Sequence, residues 1–229
     1  MTEKIKNNIS LVSIHIPKTA GTSFRTILKS EFGRRSVARF DIYPSGKIVL
    51  DDKTFKKDTL NKKIEVIHGH YTYESINKTL ALSENVNFIT WLRDPIERVI
   101  SNYYFLNKII AARLNESPEE NLMNRMGKTI QEFVLLEENQ NVMSKFLKGA
   151  DLKSFQFVGL QNNFESELKR LQNTMNWKTI QNIEHNVTGN KSKQVNPEII
   201  ELIKTNNKQD IELYERALTL NSSINTSRK

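Results

Sequence analysis

Short apolar runs alternate with amphipathic stretches along the chain. The run Ile9–Ile16 is rich in β-branched residues and almost wholly apolar, which is typical of a strand buried on both faces of a parallel sheet. Similar runs predict three more strands, over Ile64–His68, Val86–Leu92 and Phe155–Leu160. Because these strands alternate with helical stretches, the pattern predicts an α/β fold with a central parallel sheet and helices on both faces.

The segments between the strands carry helical periodicity or turn signals. Ser36–Leu50 is expected to be extended with a turn at Pro44–Gly46, and the polar sequence after His68 is expected to be helical up to Leu82. The other predicted helices are Phe24–Phe32, Pro95–Leu114, Thr129–Glu138, Gln140–Leu147, Glu165–Met175, Pro197–Lys204 and Gln209–Leu220. No repeat or proline-rich linker divides the chain, so a single domain over residues 1–229 is expected.

Composition removes several classes of function. The 229 residues include no cysteine, which excludes disulfide frameworks, cysteine-ligated zinc or iron–sulfur sites and cysteine nucleophiles. The apolar runs are shorter than the roughly 18 residues that span a bilayer, so no transmembrane segment is predicted. The charged N-terminus, Met1–Asn8, is not followed by an apolar signal region, and a cytoplasmic location is therefore expected.

The charge balance narrows the class of partner. Lys and Arg number 34 against 26 Asp and Glu, giving a net charge of +8. Such a surplus suits nucleic acid, an anionic membrane face, an acidic polysaccharide or a phosphate-rich cofactor, and equally suits an ordinary solvated surface.

The most informative local pattern is the segment Pro17–Ser23, between the first strand and the first helix. Such a loop presents free backbone N–H groups to an anion at a helix N-terminus, where Gly21 gives close approach, Thr22 and Ser23 add hydroxyl groups and Lys18 adds a cation. The order of residues differs from a Walker A loop, in which lysine directly follows the second glycine. The alternative is an ordinary strand-to-helix turn with a Thr or Ser cap.

A second cluster follows the strand Val86–Leu92. Arg93 stands where ligands of open α/β sheets bind, and Ser101 lies about two helical turns further on. Arginine suits bidentate recognition of phosphate, and a serine hydroxyl can complete such a site. The alternative is that Arg93 and Asp94 pair with each other or cap the helix.

A third cluster, His68-Gly69-His70, closes a short strand. The alternation of side chains along a strand puts both imidazoles on one side, at the carboxyl edge of the sheet. Histidine titrates near neutrality, so either ring could remove a proton from an attacking hydroxyl. A structural pair and a metal site are the alternatives, and His15 within the first strand is expected to be structural.

Together, the segments His15–Phe24 and Leu92–Phe105 resemble the two nucleotide-binding motifs of sulfotransferases that use 3′-phosphoadenosine 5′-phosphosulfate (PAPS). The likeness is closest to carbohydrate O-sulfotransferases, particularly the heparan sulfate uronyl 2-O-sulfotransferases, which also carry His-Gly-His between the motifs. It implies a three-layer, P-loop-like fold. The PAPS-binding core would comprise about residues 9–108 and 155–196, with a helical insert at about 110–150 and C-terminal helices at 197–220.

The resemblance also implies roles for individual residues. His70 would be the catalytic base with His68 in support, and Lys18 would stabilise charge on the leaving 5′-phosphate. Arg93 and Ser101 would hold the 3′-phosphate. The complete set implied to bind the cofactor is Lys18, Thr19, Ala20, Gly21, Thr22, Ser23, Arg93, Ser101, Lys191, Ser192 and Lys193. PAPS would leave as 3′-phosphoadenosine 5′-phosphate (PAP), and no metal ion is expected.

The implied reaction moves a sulfuryl group to a hydroxyl acceptor, expected to be a saccharide or glycolipid, with no nucleic-acid partner. Asn107 stands where the uronyl enzymes have an arginine for the acidic sugar, which weakens the case for a uronate acceptor. Two other functions fit the patterns less well: a P-loop-type nucleotide kinase or phosphotransferase, and a non-enzymatic basic module that binds a polyanion. The sequence leaves the acceptor's identity and the oligomeric state open.

Overall fold

A computed structural model describes residues 3–116, 128–178 and 195–226. Its sheet contains seven strands: β1 (Leu11–Ile14), β2 (Val37–Ile42), β3 (Ile48–Leu50), β4 (Lys53–Thr54), β5 (Val66–Gly69), β6 (Asn87–Leu92) and β7 (Phe157–Leu160). Their order across the sheet is β4-β3-β2-β5-β1-β6-β7. The five strands from β2 to β7 in that order run parallel, and β3 and β4 are added antiparallel at one edge.

The described helices are α1 (Gly21–Phe32), α2 (Tyr73–Thr79), α3 (Pro95–Glu116), α4 (Ile130–Leu135), α5 (Val142–Phe146), α6 (Phe164–Met175), α7 (Pro197–Asn206) and α8 (Lys208–Thr226). Several begin at residues whose side chains satisfy the free N–H groups of the first turn. Thr72 and Ser75 form a capping box at α2, Thr129 and Glu132 form another at α4, and Asn196 caps α7.

Apolar side chains cover both faces of the sheet, which gives the three layers. On one face, Phe24, Ile27 and Leu28 of α1 pack with Phe164 and Leu171 of α6. The other face is covered by α2, α5 and α8. The predicted α/β fold is therefore confirmed, and the central strands are buried on both faces because helices cover both sides.

One expectation about local structure was wrong. The predicted helix Thr129–Glu138 ends at Leu135, and a 3-10 turn over Glu137–Asn139 follows it. The expected turn at Pro44–Gly46 is present and returns the chain as the antiparallel strand β3, so the mostly parallel sheet has an antiparallel edge.

Candidate active site

The register of the sheet brings the three sequence motifs to one edge. Ile14, the last residue of β1, pairs with Gly69 of β5 on one side and with Thr90 of β6 on the other. All three strands are parallel, so the residues that follow them emerge at the same carboxyl edge. His70 and Arg93 therefore flank the loop that joins β1 to α1.

Both residues contact the backbone of that loop. The Nδ1 atom of His70 lies 2.8 Å from the carbonyl oxygen of His15, and Nη1 of Arg93 lies 3.4 Å from the carbonyl oxygen of Lys18. The structure thus brings Lys18, His70 and Arg93 together, although they are far apart in sequence.

The loop delivers an uncapped helix N-terminus to this edge. Lys18 and Ala20 both have left-handed backbones, with φ of 71° and 72°. Among the described residues no side chain caps α1, and its first turn contains no acidic residue. The N–H groups of Gly21, Thr22 and Ser23 begin the helix, so the positive end of its dipole is available to an anion.

Two loop residues differ from the simplest expectation. Thr19 is buried and its hydroxyl donates to the carbonyl of Ile16 at 2.9 Å, so only its backbone N–H can be offered to an anion. A Cβ atom on Gly21 would meet the His15 ring at 1.9 Å. Glycine is therefore required at position 21 by the packing of His15, in addition to any approach of a ligand.

The ammonium group of Lys18 lies over an aromatic ring of α3. Its Nζ atom is 3.7 Å from the centroid of the Phe105 ring, which is itself 44% exposed. The contact with this partly exposed ring places the positive charge of Lys18 at the surface of the site.

His68 uses both ring nitrogens within the protein. Its Nε2 donates to the carbonyl of Gly21 at 3.1 Å, and its Nδ1 lies 2.9 Å from the hydroxyl of Ser13, which therefore acts as the donor. Burial lowers the pKa of His68 to about 3. This ring is a neutral link between β1, β5 and α1.

His70 is oriented differently. Because the carbonyl of His15 can only accept, the proton of neutral His70 lies on Nδ1 and the lone pair on Nε2. The His15 and His70 rings are stacked with centroids 4.3 Å apart. Burial lowers the pKa of His70 below its usual 6.5, so the lone pair is present at neutral pH.

Asp41 and Gly69 fix the backbone at His70. The Oδ1 atom of Asp41 accepts from the backbone N–H of His70 at 2.7 Å, and its Oδ2 pairs with Arg39 at 2.8 Å. A Cβ atom on Gly69 would lie 1.9 Å from the carbonyl oxygen of Phe40. The glycine between the two histidines is therefore required by the close approach of β2. Asp41 was not predicted from the sequence; a carboxylate in the mostly buried strand Val37–Ile42 is the signal that could have indicated it.

Arg93 is nearly buried but only partly satisfied. Its side chain is 11% exposed and pairs with Glu97 at 3.5 Å, while its Nε atom is buried with no hydrogen-bond partner among the described residues. Asp94 caps α3 by accepting from the N–H of Glu97 at 3.0 Å. Ser101 lies half-buried on the same helix. Of the two structural alternatives for this motif, helix capping holds for Asp94, whereas the ion-pair partner of Arg93 is Glu97.

Three further expectations concern the late loop, a metal site and a membrane-spanning helix. Lys191, Ser192 and Lys193 lie outside the described residues. Within the described ranges, no three His, Asp or Glu side chains are grouped so that they could hold a metal ion. None of the described helices is both long and apolar enough to cross a membrane.

A cavity of about 600 Å³ opens beside His70, on the side away from Arg93's strand. The turn after β2, the start of α2 and Phe146 of α5 form its walls. This cavity could not be predicted from the sequence, because its walls come from three separate segments of the chain.

The histidine cluster predicts how stability depends on pH. Burial lowers the pKa values of His15, His68 and His70 in the folded state. Below pH 6.5 the unfolded chain binds more protons than the folded one, so the free energy of unfolding should fall as pH falls, with each histidine contributing a slope of at most about 1.4 kcal/mol per pH unit. Urea unfolding at pH 7.5 and 5.5 measures this, and equal free energies at both would contradict it.

A sequence profile described as "Sulfotransferase family" matches residues 4–215. No curated protein matches the chain significantly in sequence. Among solved structures, the fold is similar to that of mouse sulfotransferase SULT7A1 complexed with PAP, with a TM-score of 0.58 and 9% identity over 97% of this chain and 91% of that one. A sulfotransferase from Alicyclobacillus acidocaldarius also aligns, with a TM-score of 0.47 and 10% identity over 93% of this chain and 95% of that one.

The profile spans nearly all of the chain, including the loop before α1, the His-Gly-His segment and the start of α3. The fold has three layers, and its mostly parallel central sheet places those segments at one edge, as in a P-loop-like fold. On the match of residues 4–215, this chain belongs to the sulfotransferase family.

Proposed function

We propose that the chain transfers a sulfuryl group from PAPS to a hydroxyl acceptor, with His70 as the general base. The observation that carries the proposal is that His70 and Arg93 both contact carbonyl groups of the loop between β1 and α1. That loop ends at the uncapped N-terminus of α1.

The residues present fit the two phosphate-bearing ends of this cofactor. The N–H groups of Gly21, Thr22 and Ser23 with the Lys18 ammonium would hold the 5′-phosphosulfate. Arg93 has a buried Nε atom without a partner in the described residues, which suits a group still to receive an anion. With Ser101 on the following helix, it would hold the 3′-phosphate. Thr19 and Ala20 shape the loop.

A residue of the site can meet each chemical requirement of the proposed reaction. When bound, PAPS supplies the sulfuryl group and a phosphate leaving group. Nε2 of His70 takes the proton of the acceptor hydroxyl, and Lys18 offsets the charge that develops on the leaving side. His68 keeps the loop and β5 in register, because its two ring nitrogens link Ser13 and Gly21.

The finer expectations belong to the same proposal. A saccharide or glycolipid acceptor, kinship with the uronyl 2-O-sulfotransferases, a single domain and a cytoplasmic location all stay predictions. Binding separates the proposal from its alternatives: PAP should bind tightly without magnesium. Binding of ATP–Mg in preference to PAP would favour a kinase, and binding of polyanions alone would favour a non-enzymatic module.

Arg93 gives the sharpest test of the nucleotide assignment. The Arg93→Met variant should bind PAP about 10- to 100-fold more weakly, because charge-assisted hydrogen bonds contribute about 1.5–3 kcal/mol. Its affinity for AMP, which lacks only the 3′-phosphate, should not change. Calorimetric titration measures both nucleotides, and adding Glu97→Gln removes the carboxylate left without its partner. An equal loss for PAP and AMP would show that Arg93 does not read the 3′-phosphate.

A further inference from the structure

The cavity beside His70 has mainly apolar walls. Ile42, Tyr43 and Pro44, at the end of β2 and the turn after it, form one wall of the cavity. Tyr71 and Phe146 of α5 also line it. The Phe146 ring lies edge-on to the His70 ring, with centroids 6.5 Å apart. A volume of about 600 Å³ is within the range of small-molecule sites, which are typically about 300–1,000 Å³.

Both ionised side chains that line the cavity already have partners. Asp41 is held by Arg39 at 2.8 Å and by the N–H of His70. Lys78 of α2 pairs with Glu74 one turn earlier, at 2.5 Å. Lys47 lies 6.0 Å from the centroid of the Tyr43 ring and does not line the cavity.

We infer that this cavity is the acceptor site and that it selects an uncharged acceptor unit with an apolar face over an acidic one. The inference rests on the proposed function, because the proposed base, His70, lines the cavity. Aromatic and proline side chains offer area to the C–H face of a ring, whereas the hydroxyl groups of Thr72 and Ser75 serve α2 itself as its capping box.

Charge decides the selectivity. A carboxylate that enters an apolar cavity loses hydration and needs a cation in return. The ionised lining residues are Lys78 and Asp41, whose charges cancel, so the lining gives no net positive charge. Glu74 lies outside the lining and pairs with Lys78, which offsets the positive charge further. An acidic sugar should therefore bind worse than a neutral one of the same shape.

Two aryl glycosides test this directly. 4-Nitrophenyl β-glucoside and 4-nitrophenyl β-glucuronide differ only at C6, where the second carries a carboxylate. Calorimetric titration of each into the enzyme–PAP complex should show the glucoside binding at least about tenfold more tightly. Tyr43 is 47% exposed, so the Tyr43→Ala variant should fold normally, weaken glucoside binding and leave PAP affinity unchanged.

A charge variant tests the cause. Glu74→Gln leaves Lys78 without its carboxylate and should tighten glucuronide binding by about two- to fivefold, the scale of an exposed ion pair. Glu201→Gln is the matched control, since it breaks the similar Glu201–Lys204 pair on α7 and changes net charge equally. That control should not change binding of either glycoside.

The outcomes separate the two proposals. Equal or tighter binding of the glucuronide by the wild-type protein, or no binding of the glucoside, would overturn the inference about the cavity. An identical effect of Glu74→Gln and Glu201→Gln would also overturn it. A failure of PAP to bind would instead overturn the proposed function.

Discussion

The His70→Ala variant should lose about 10²–10⁴-fold in kcat, the usual contribution of a general base, while its affinity for PAP stays at the wild-type value. The reason is geometric: the Nδ1–H of His70 donates to the backbone carbonyl of His15, so the lone pair of Nε2 is available to an acceptor hydroxyl. Single-turnover rates with saturating PAPS measure the chemical step, and calorimetry measures PAP binding.

The pH dependence of the wild-type rate provides a second readout. Because burial lowers the pKa of His70, its base form persists at pH values below the usual 6.5, and kcat/KM should begin to fall only at more acidic pH than an ordinary histidine would give. His70→Gln should remove this acid limb as well as most of the rate. A His70→Ala enzyme with wild-type turnover would assign the base to another group.

Lys18→Met should lower kcat by about 10²–10³-fold, comparable with removing one donor to a developing anion. Methionine has nearly the length of lysine and is not β-branched, so the left-handed backbone at position 18 is no more strained than in the wild type. The same single-turnover assay measures the effect.

Two variants control for charge and for shape. Lys53→Met in β4 removes an exposed positive charge far along the sheet from β1 and should leave kcat unchanged. Lys18→Arg keeps the charge in a longer, planar group and should recover part of the rate. Equal rates for Lys18→Met and Lys53→Met would show that Lys18 contributes no specific charge to the reaction.

The buried strands could be predicted from the sequence because a strand covered on both faces needs apolar residues at nearly every position. β1 and β6 appear as apolar runs, and their helices begin and end within a few residues of the predicted positions. β4 could not be predicted. It has two exposed residues, Lys53 and Thr54, and follows a turn in which Asp51 and Asp52 both have positive φ. Turns with positive φ usually contain glycine, which makes them recognisable in a sequence, and this one has none.

The candidate site could be predicted only in part from the sequence. Its three motifs could be found because anion binding and proton transfer restrict residue types. The sequence predicted His70 as the base with His68 in support, but it did not show how His68 acts, because only the fold shows that its ring contacts Ser13 and Gly21. Likewise, the partner of Gly21 is the His15 ring, a contact set by how α1 packs after the turn.

The turn over residues 43–46 has a consequence for how this protein could change over time. It forms a wall of the cavity beside His70, whereas the loop before α1 and Arg93 follow β1 and β6. Loop tips accept insertions and substitutions more readily than the elements they join. Evolution or design can therefore rebuild the wall of the cavity at this hairpin without altering the opposite half of the site, so the proposed acceptor site can change while the proposed nucleotide site stays intact.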